Sequence, residues 1–150
     1  MEEINGKSVT IHTYLEQRNP QSDTQILKSQ FTGRMSHRNG KTLLVYNETE
    51  EQVQTLMQLS ADEVLIRRQG KGINSAMRFR TGVCVAAKYE VHGITLPMHV
   101  KTHSIADSLL PSDAAAANAC PRTVHIGYDL LLNGDIASHN CLEIKIVGNP

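Results

Sequence analysis

Apolar and polar residues alternate along most of this chain with a period of two, the pattern of half-buried β-strands. The clearest case is the pair of segments Val83–Val91 and Ile94–Thr102, which His92-Gly93 separates. A two-residue loop at His92-Gly93 pairs Val85 with Val100 and gives this ribbon one largely apolar face and one polar face. The pattern predicts an antiparallel β-structure that buries one side of its sheet.

Similar segments follow one another at short intervals, and turn-forming residues such as Asn19-Pro20 and Gly70-Lys71-Gly72 separate them. Short strands joined by tight turns are typical of a meander sandwich or a closed barrel. The predicted strands are Val9–Gln17, Gln25–Ser36, Thr42–Asn47, Gln52–Leu59, Val64–Gln69, Ala76–Arg80, Val83–Val91, Ile94–His103, Thr123–Leu132 and Asn140–Val147.

Two further hairpins have registers that align apolar with apolar residues, as a buried face requires. A type I′ turn at Asn39-Gly40 places Met35 opposite Leu44. A four-residue loop at Ser60–Glu63 aligns the next hairpin in the same way.

The last hairpin leaves two registers to compare. A tight turn at Asn133-Gly134 would put Tyr128 opposite His139, an aromatic residue against a polar one. A longer loop that pairs Tyr128 with Leu142 keeps the face apolar, and it is the register that we favour.

The segment Ser104–Pro121 breaks the alternation. Ser112 or Asp113 could cap a short helix over the following alanines, and a mobile loop is the competing interpretation. Both stay open at this point.

Composition limits the function more than it identifies it. Residues 1–150 fit one domain, and lysine plus arginine equals aspartate plus glutamate at 15 each. A net charge of zero, with no tryptophan and two phenylalanines, argues against nucleic acid as a partner. No apolar stretch is long enough to span a membrane as a helix, and the N-terminus does not resemble a signal peptide. We therefore expect a cytoplasmic protein in which Cys84, Cys120 and Cys141 are reduced.

Several motifs, in this order and spacing, resemble the YwiB-like family of uncharacterised bacterial proteins over about Val9 to Val147. The motifs are Ile66-Arg67-Arg68-Gln69-Gly70, Met77-Arg78-Phe79-Arg80-Thr81-Gly82, Tyr89-Glu90-Val91-His92-Gly93, Ile126-Gly127-Tyr128-Asp129-Leu130 and Leu142-Glu143-Ile144-Lys145-Ile146. The resemblance implies a calycin-like, that is lipocalin-like, β-barrel, and it carries no catalytic residues over to this chain. With the hairpins above, it predicts an all-β fold, an antiparallel meander barrel of about eight to ten strands with at most one or two short helices.

Arginines are concentrated in the middle of the chain, where a strand also carries Met77 and Phe79. In one interpretation the arginines hold an anionic group, since guanidinium forks match carboxylate and phosphate. In the other, which we favour, Met77 and Phe79 enter the barrel, and Arg78 and Arg80 lie on its solvated exterior in salt bridges with neighbours. The candidate ligand-binding residues are Arg67, Arg78, Arg80, Phe79, His99 and Lys101. Arg18, in the first turn, is not expected to take part.

The histidines offer no metal or catalytic motif. His99 and His103 lie about 13 Å apart on a strand, too far to share an ion, and we interpret them as exposed polar residues. His125 and His139 could approach each other across the last hairpin, but no third ligand is identifiable. We expect no metal, no cofactor and no catalytic residue.

The leading hypothesis is a non-catalytic binding module for a small amphipathic or anionic ligand, which an eight-stranded barrel can enclose. The alternatives are an enzyme that acts at the barrel mouth, with Arg67, Arg78, Arg80 and His99 as candidate groups, and a protein-interaction or structural module. A buried histidine bonded to a carboxylate in a cleft would favour the enzyme. The sequence leaves the oligomeric state open.

Overall fold

A computed structural model describes residues 6–21, 23–48, 52–108 and 121–150. Within these ranges all regular structure is β, and no helix is present. The strands are β1 (Lys7–Arg18), β2 (Thr24–Arg38), β3 (Lys41–Glu48), β4 (Val53–Leu59), β5 (Glu63–Gly70), β6 (Ile73–Arg80), β7 (Cys84–Val91), β8 (Ile94–Thr95), β9 (Met98–Asp107), β10 (Arg122–Leu132) and β11 (Asp135–Gly148).

The strands form a closed antiparallel barrel. Sequence neighbours pair from β1 to β7 and from β9 to β11, β1 pairs with β11, and β7 pairs with β9. The two-residue strand β8 lies along β7 ahead of β9, so ten strands make the ring. This architecture confirms the predicted all-β meander barrel.

The registers of the first hairpins are confirmed. Val85 pairs with Val100, and Met35 pairs with Leu44 across a turn in which Asn39 has a φ of 53° and Gly40 a φ of 76°. These positive values fit the type I′ turn that suits the twist of a hairpin. The predicted strand Ile94–His103 is interrupted at Pro97, which has no N–H to give to the ladder.

The register predicted for the last hairpin is wrong. The turn at Asn133-Gly134 is tight, so that Leu132 pairs with Asp135, but a β-bulge then leaves Ala137 without a residue opposite. Tyr128 consequently pairs with Asn140 instead of Leu142. Both predicted registers assumed an unbroken ladder, and one extra residue in β11 shifts the pairing beyond it.

Strand β9 also runs further than predicted, to Asp107, so Ser104 continues the sheet. The capped helix and the mobile loop considered for the next segment fall on residues 109–120, which lie outside the described part of the chain.

Apolar side chains from nine of the ten barrel strands are buried inside the ring. Phe79 is 1% exposed and packs edge-on against Tyr128, with 4.7 Å between the ring centres. These side chains form a packed hydrophobic core inside the ring. The buried apolar residues are Val9, Ile11, Met35, Leu44, Tyr46, Val53, Met57, Leu59, Val64, Phe79, Val100, Val124, Ile126, Tyr128, Ile144 and Ile146.

Two arginine–carboxylate pairs lie at opposite ends of this core. Arg122, only 6% exposed, donates to both carboxylate oxygens of Asp107 (3.1 and 2.6 Å) and across the barrel to the hydroxyl of Thr42 (2.8 Å). Arg68 makes a similar two-pronged contact with Glu48 at 3.1 and 2.8 Å. Their charges are matched internally, as burial requires. In the residues that the structure describes, no helix could cross a membrane.

Candidate functional site

A row of polar side chains crosses the outer wall of the barrel over five neighbouring strands. Cross-strand pairing places Cys84 beside Lys101, Lys101 beside Asp129, Asp129 beside His139, and His139 beside Arg18. Paired residues of an antiparallel sheet lie on the same face, so all five share the outer wall. Asp129 stands in the middle of this row.

A second β-bulge brings another histidine to Asp129. Gly127 pairs with Ser104 and Tyr128 with Thr102, which leaves His103 with no residue opposite it. A bulged residue can be re-aimed relative to the regular ladder. The absence of a side chain at Gly127 fits the crowding there, because a Cβ atom would lie 3.0 Å from the Ser104 hydroxyl.

The carboxylate of Asp129 contacts both histidines at once. Its Oδ1 lies 2.7 Å from Nδ1 of His139, and its Oδ2 lies 2.9 Å from Nε2 of His103. The Asp129 side chain is 9% exposed, whereas those of His103 and His139 are 50% and 42% exposed. A nearly buried carboxylate is thus covered by two half-exposed imidazoles.

Asp129 is held in its ionised form. Burial is the largest influence and by itself raises the pKa of the carboxyl, but the hydrogen bonds and charges of His103 and His139 together outweigh it and lower the pKa from 3.8. An ionised carboxylate only accepts hydrogen bonds, so each histidine must donate the ring N–H that faces it. This assignment leaves Nδ1 of His103 and Nε2 of His139 for other partners.

The cluster, defined as His103, Asp129 and His139, borders a cleft of about 260 Å³. Glu16 and Arg18 of β1 and the exposed residue Cys141 of β11 also line it. Arg18 thus lies at the end of a strand beside the cluster and not, as expected, in a turn away from the site. A volume of this size suits a small molecule or a head group rather than a drug-sized ligand.

The arginines predicted to hold a ligand lie elsewhere on the exterior. Arg78 and Arg80 have side chains 53% and 56% exposed, and they lie 3.0 Å from Glu63 and 3.9 Å from Asp62, respectively. Arg67 is exposed on β5, while Phe79 points into the core. The interpretation that Arg78 and Arg80 lie outside the barrel while Met77 and Phe79 pack with its core is confirmed.

His99 and Lys101 are exposed on β9. Lys101 pairs with Asp129, so one predicted residue adjoins the cluster, whereas His99 pairs with Leu131 further along. His125 and His139, considered as a pair across the last hairpin, lie apart, because His125 lies opposite Glu143 at 3.5 Å and His139 lies opposite Asp129.

Sequence reasoning missed Asp129 and misjudged His103 as an ordinary exposed residue. One signal was present: Asp129 is the only charged residue in the apolar run Ile126–Leu132. A lone acid in such a run needs a partner, and an inventory of histidines on the neighbouring strands would have offered His103 and His139.

Acidic, histidine and cysteine side chains are the usual metal ligands of proteins. Among the residues that the structure describes, no three of them are placed to hold a metal ion together.

Comparison with known proteins gives a family and a fold. The model of a domain of unknown function, DUF1934, matches residues 9–144. The crystal structure of the ywiB protein from Bacillus subtilis superimposes with a TM-score of 0.79 at 23% sequence identity, covering 96% of this chain and 93% of that chain. No curated protein matches the chain. At this identity the structural likeness concerns the fold alone.

Proposed function

The chain belongs to the DUF1934 family of domains of unknown function, and we propose that its barrel is a binding module for a small anionic ligand at the outer-wall cleft. The observation that carries the proposal is the buried carboxylate of Asp129, which positions His103 and His139 at 2.9 and 2.7 Å. In ligand sites, a small number of precisely placed polar groups commonly fixes the orientation of the ligand.

The charges around the cleft favour an anion. Arg18 and Lys101 stand in the same cross-strand row as Asp129, and both are exposed. The carboxylate of Asp129 already accepts hydrogen bonds from the two histidines. Glu16 is the other acid that lines the cleft. The guanidinium of Arg18 can offer a forked pair of donors to a carboxylate or phosphate group.

Each histidine gives one ring N–H to Asp129, so its other ring nitrogen is left for a ligand. That nitrogen accepts a hydrogen bond when the ring is neutral and donates one when the ring is charged.

Thermal unfolding in inorganic phosphate or succinate, against chloride at the same ionic strength, tests the proposal. A ligand selective for the folded state raises the Tm with its concentration. We expect this rise in the unsubstituted protein and its loss in Arg18→Gln and His139→Gln.

Arg78→Gln is the matched control, because it removes an exposed arginine on β6 without touching the cleft. Its Tm shift should equal that of the unsubstituted protein. If Arg78→Gln lost the Tm shift and Arg18→Gln kept it, the ligand site would instead lie at the arginines of β5 and β6. The same shift in every variant would refute a specific anion site.

General acid–base catalysis is the second candidate, and the 2.7 Å contact between His139 and Asp129 favours it. A carboxylate that orients an imidazole and stabilises its charged form is a common arrangement for a catalytic base. Hydrolysis of p-nitrophenyl phosphate or acetate that disappears in His139→Gln would support this candidate. Phosphate binding without hydrolysis of either substrate would support the binding module and contradict the catalytic candidate.

A bacterial, cytoplasmic setting is part of the same proposal. The thiols of Cys84 and Cys141 are unpaired and exposed, which suits a reducing compartment, and the similar structure comes from a bacterium. Thiol titration of protein released from cells under alkylating conditions would contradict this setting if these cysteines were found oxidised.

A further inference from the structure

The first half of β2 has an open edge. Thr24–Thr32 pairs with β1 on one side, but β3 joins the other side only from Gly33 onward. In the described ranges 6–21, 23–48, 52–108 and 121–150, no strand pairs with this outer edge. At about 3.3 Å per residue the edge is roughly 30 Å long. Its outward N–H and C=O groups can receive another extended strand.

A ladder of paired apolar side chains extends from the core across neighbouring strands and ends at this edge. Ile126 pairs with Leu142, Leu142 with Leu15, and Leu15 with Leu27. Ile126 is 1% exposed, whereas Leu27, the last member, is 46% exposed. Each cross-strand pair on one face stabilises its neighbours, so the ladder lacks its next member at Leu27.

We propose that this member is Leu27 of a second copy of the chain, so that two β2 edges pair antiparallel about a two-fold axis at Leu27. The apolar ladder of one molecule then continues, through the two Leu27 side chains, into the apolar ladder of the other molecule. Lys28 is the only charged residue between Thr24 and Thr32, and in this register it faces Ile26 of the other copy rather than another lysine. An isologous interface requires such self-complementarity.

Few of the usual protections are found on this edge. Open edges are commonly shortened, bulged, or blocked by proline and lysine. Thr24–Thr32 contains no proline and pairs with β1 without a break. Its single lysine is drawn back over the ring of Tyr14, with 5.7 Å between the ammonium nitrogen and the ring centre. The proposal is independent of the anion site, because Leu27 faces the inner side of the sheet and Asp129 the outer.

Charge reversal at residue 27 tests both the pairing and its register. The unsubstituted protein should show a concentration-dependent dimer in sedimentation equilibrium up to about 1 mM, the range that a weak interface requires. Leu27→Asp and Leu27→Lys should each be monomeric, since like charges would face each other across the axis. An equimolar mixture of the two should recover a heterodimer, because opposite charges then meet.

Ile94→Lys is the matched control, since Ile94 is 62% exposed at a distant turn. It should dimerise like the unsubstituted protein, and circular dichroism should show that all variants are folded. A protein that is monomeric at every concentration, a Leu27→Asp variant that still dimerises, or a mixture that stays monomeric would each overturn the proposal.

Discussion

Asp129→Asn removes the charge that His103 and His139 share while it keeps the size of the side chain. An asparagine offers one acceptor oxygen and one NH₂ donor where the carboxylate offered two acceptors. One histidine can keep its hydrogen bond as a donor. The other must change its tautomer to accept from the amide, so both contacts become neutral.

The cost follows from the burial of the cluster. Charge-assisted hydrogen bonds contribute about 1.5–3 kcal/mol each, against about 0.5–1.5 kcal/mol for neutral ones. Replacing two charge-assisted hydrogen bonds by neutral ones costs roughly 2–3 kcal/mol, and solvent screening of the half-exposed imidazoles reduces this cost. We expect Asp129→Asn to lower the free energy of unfolding by about 2 kcal/mol at pH 7.

The effect should depend on pH with a definite sign. Because the pKa of Asp129 is lower in the folded protein than its ordinary 3.8, its contribution is complete above 3.8 and disappears as the pH falls through the folded value. The part of the difference that comes from this ionisation should therefore shrink as the pH falls below 3.8.

Urea unfolding followed by circular dichroism measures this difference, and the lack of tryptophan makes that probe preferable to fluorescence. Asp62→Asn is the matched control, since the Asp62 side chain is 74% exposed and 3.9 Å from Arg80. It should change stability by less than about 0.5 kcal/mol. Equal effects of the two substitutions, or a difference that does not shrink in acid, would refute the role assigned to Asp129.

Three further outcomes are expected. Asp107→Ala leaves the buried guanidinium of Arg122 without its carboxylate and should cost about 3–5 kcal/mol in urea unfolding. Burial raises the pKa of Tyr46 and of Tyr128 to about 12, so ultraviolet titration should show two tyrosines that ionise only near pH 12. Because those pKa values are raised, the stability that they contribute is complete below pH 10 and lost between pH 10 and 12. Single-stranded RNA or DNA should bind only weakly and with strong salt dependence, and a micromolar complex at physiological salt would contradict the charge argument.

Hairpins with a two-residue turn and a continuous apolar face could be predicted to the residue. In the ribbon around His92-Gly93 the turn fixes the register and the alternation fixes the face, so Val85 meets Val100 as expected. Both rules act over neighbouring residues, which is why sequence alone suffices there. The same rules extend the barrel strand by strand but do not say where a strand contains an extra residue.

Polar residues inside the barrel are a second feature that could not be predicted from the sequence. Asn140 and Ser138 are buried on the inner face beside apolar residues, and the Asn140 amide donates to the Ser138 hydroxyl at 3.0 Å. The Oδ1 atom of Asn140 is buried without a hydrogen-bond partner among the described residues, and hydrophobicity alone does not predict such an interior position.

The candidate site lies where the regular pattern fails on both strands beside β10. Without the bulge in β11, the tight turn would set His139 opposite Tyr128 and direct it into the core, which is why that register looked unsuitable. In β9, His103 follows Thr102 onto the outer face, and the bulge leaves it without a residue opposite, next to Asp129. The two bulges flank Asp129 on its two neighbouring strands. Departures from a regular ladder are disproportionately found next to functional sites. Two independent departures that converge on one carboxylate are the strongest reason to regard this cluster as functional rather than as an incidental surface contact.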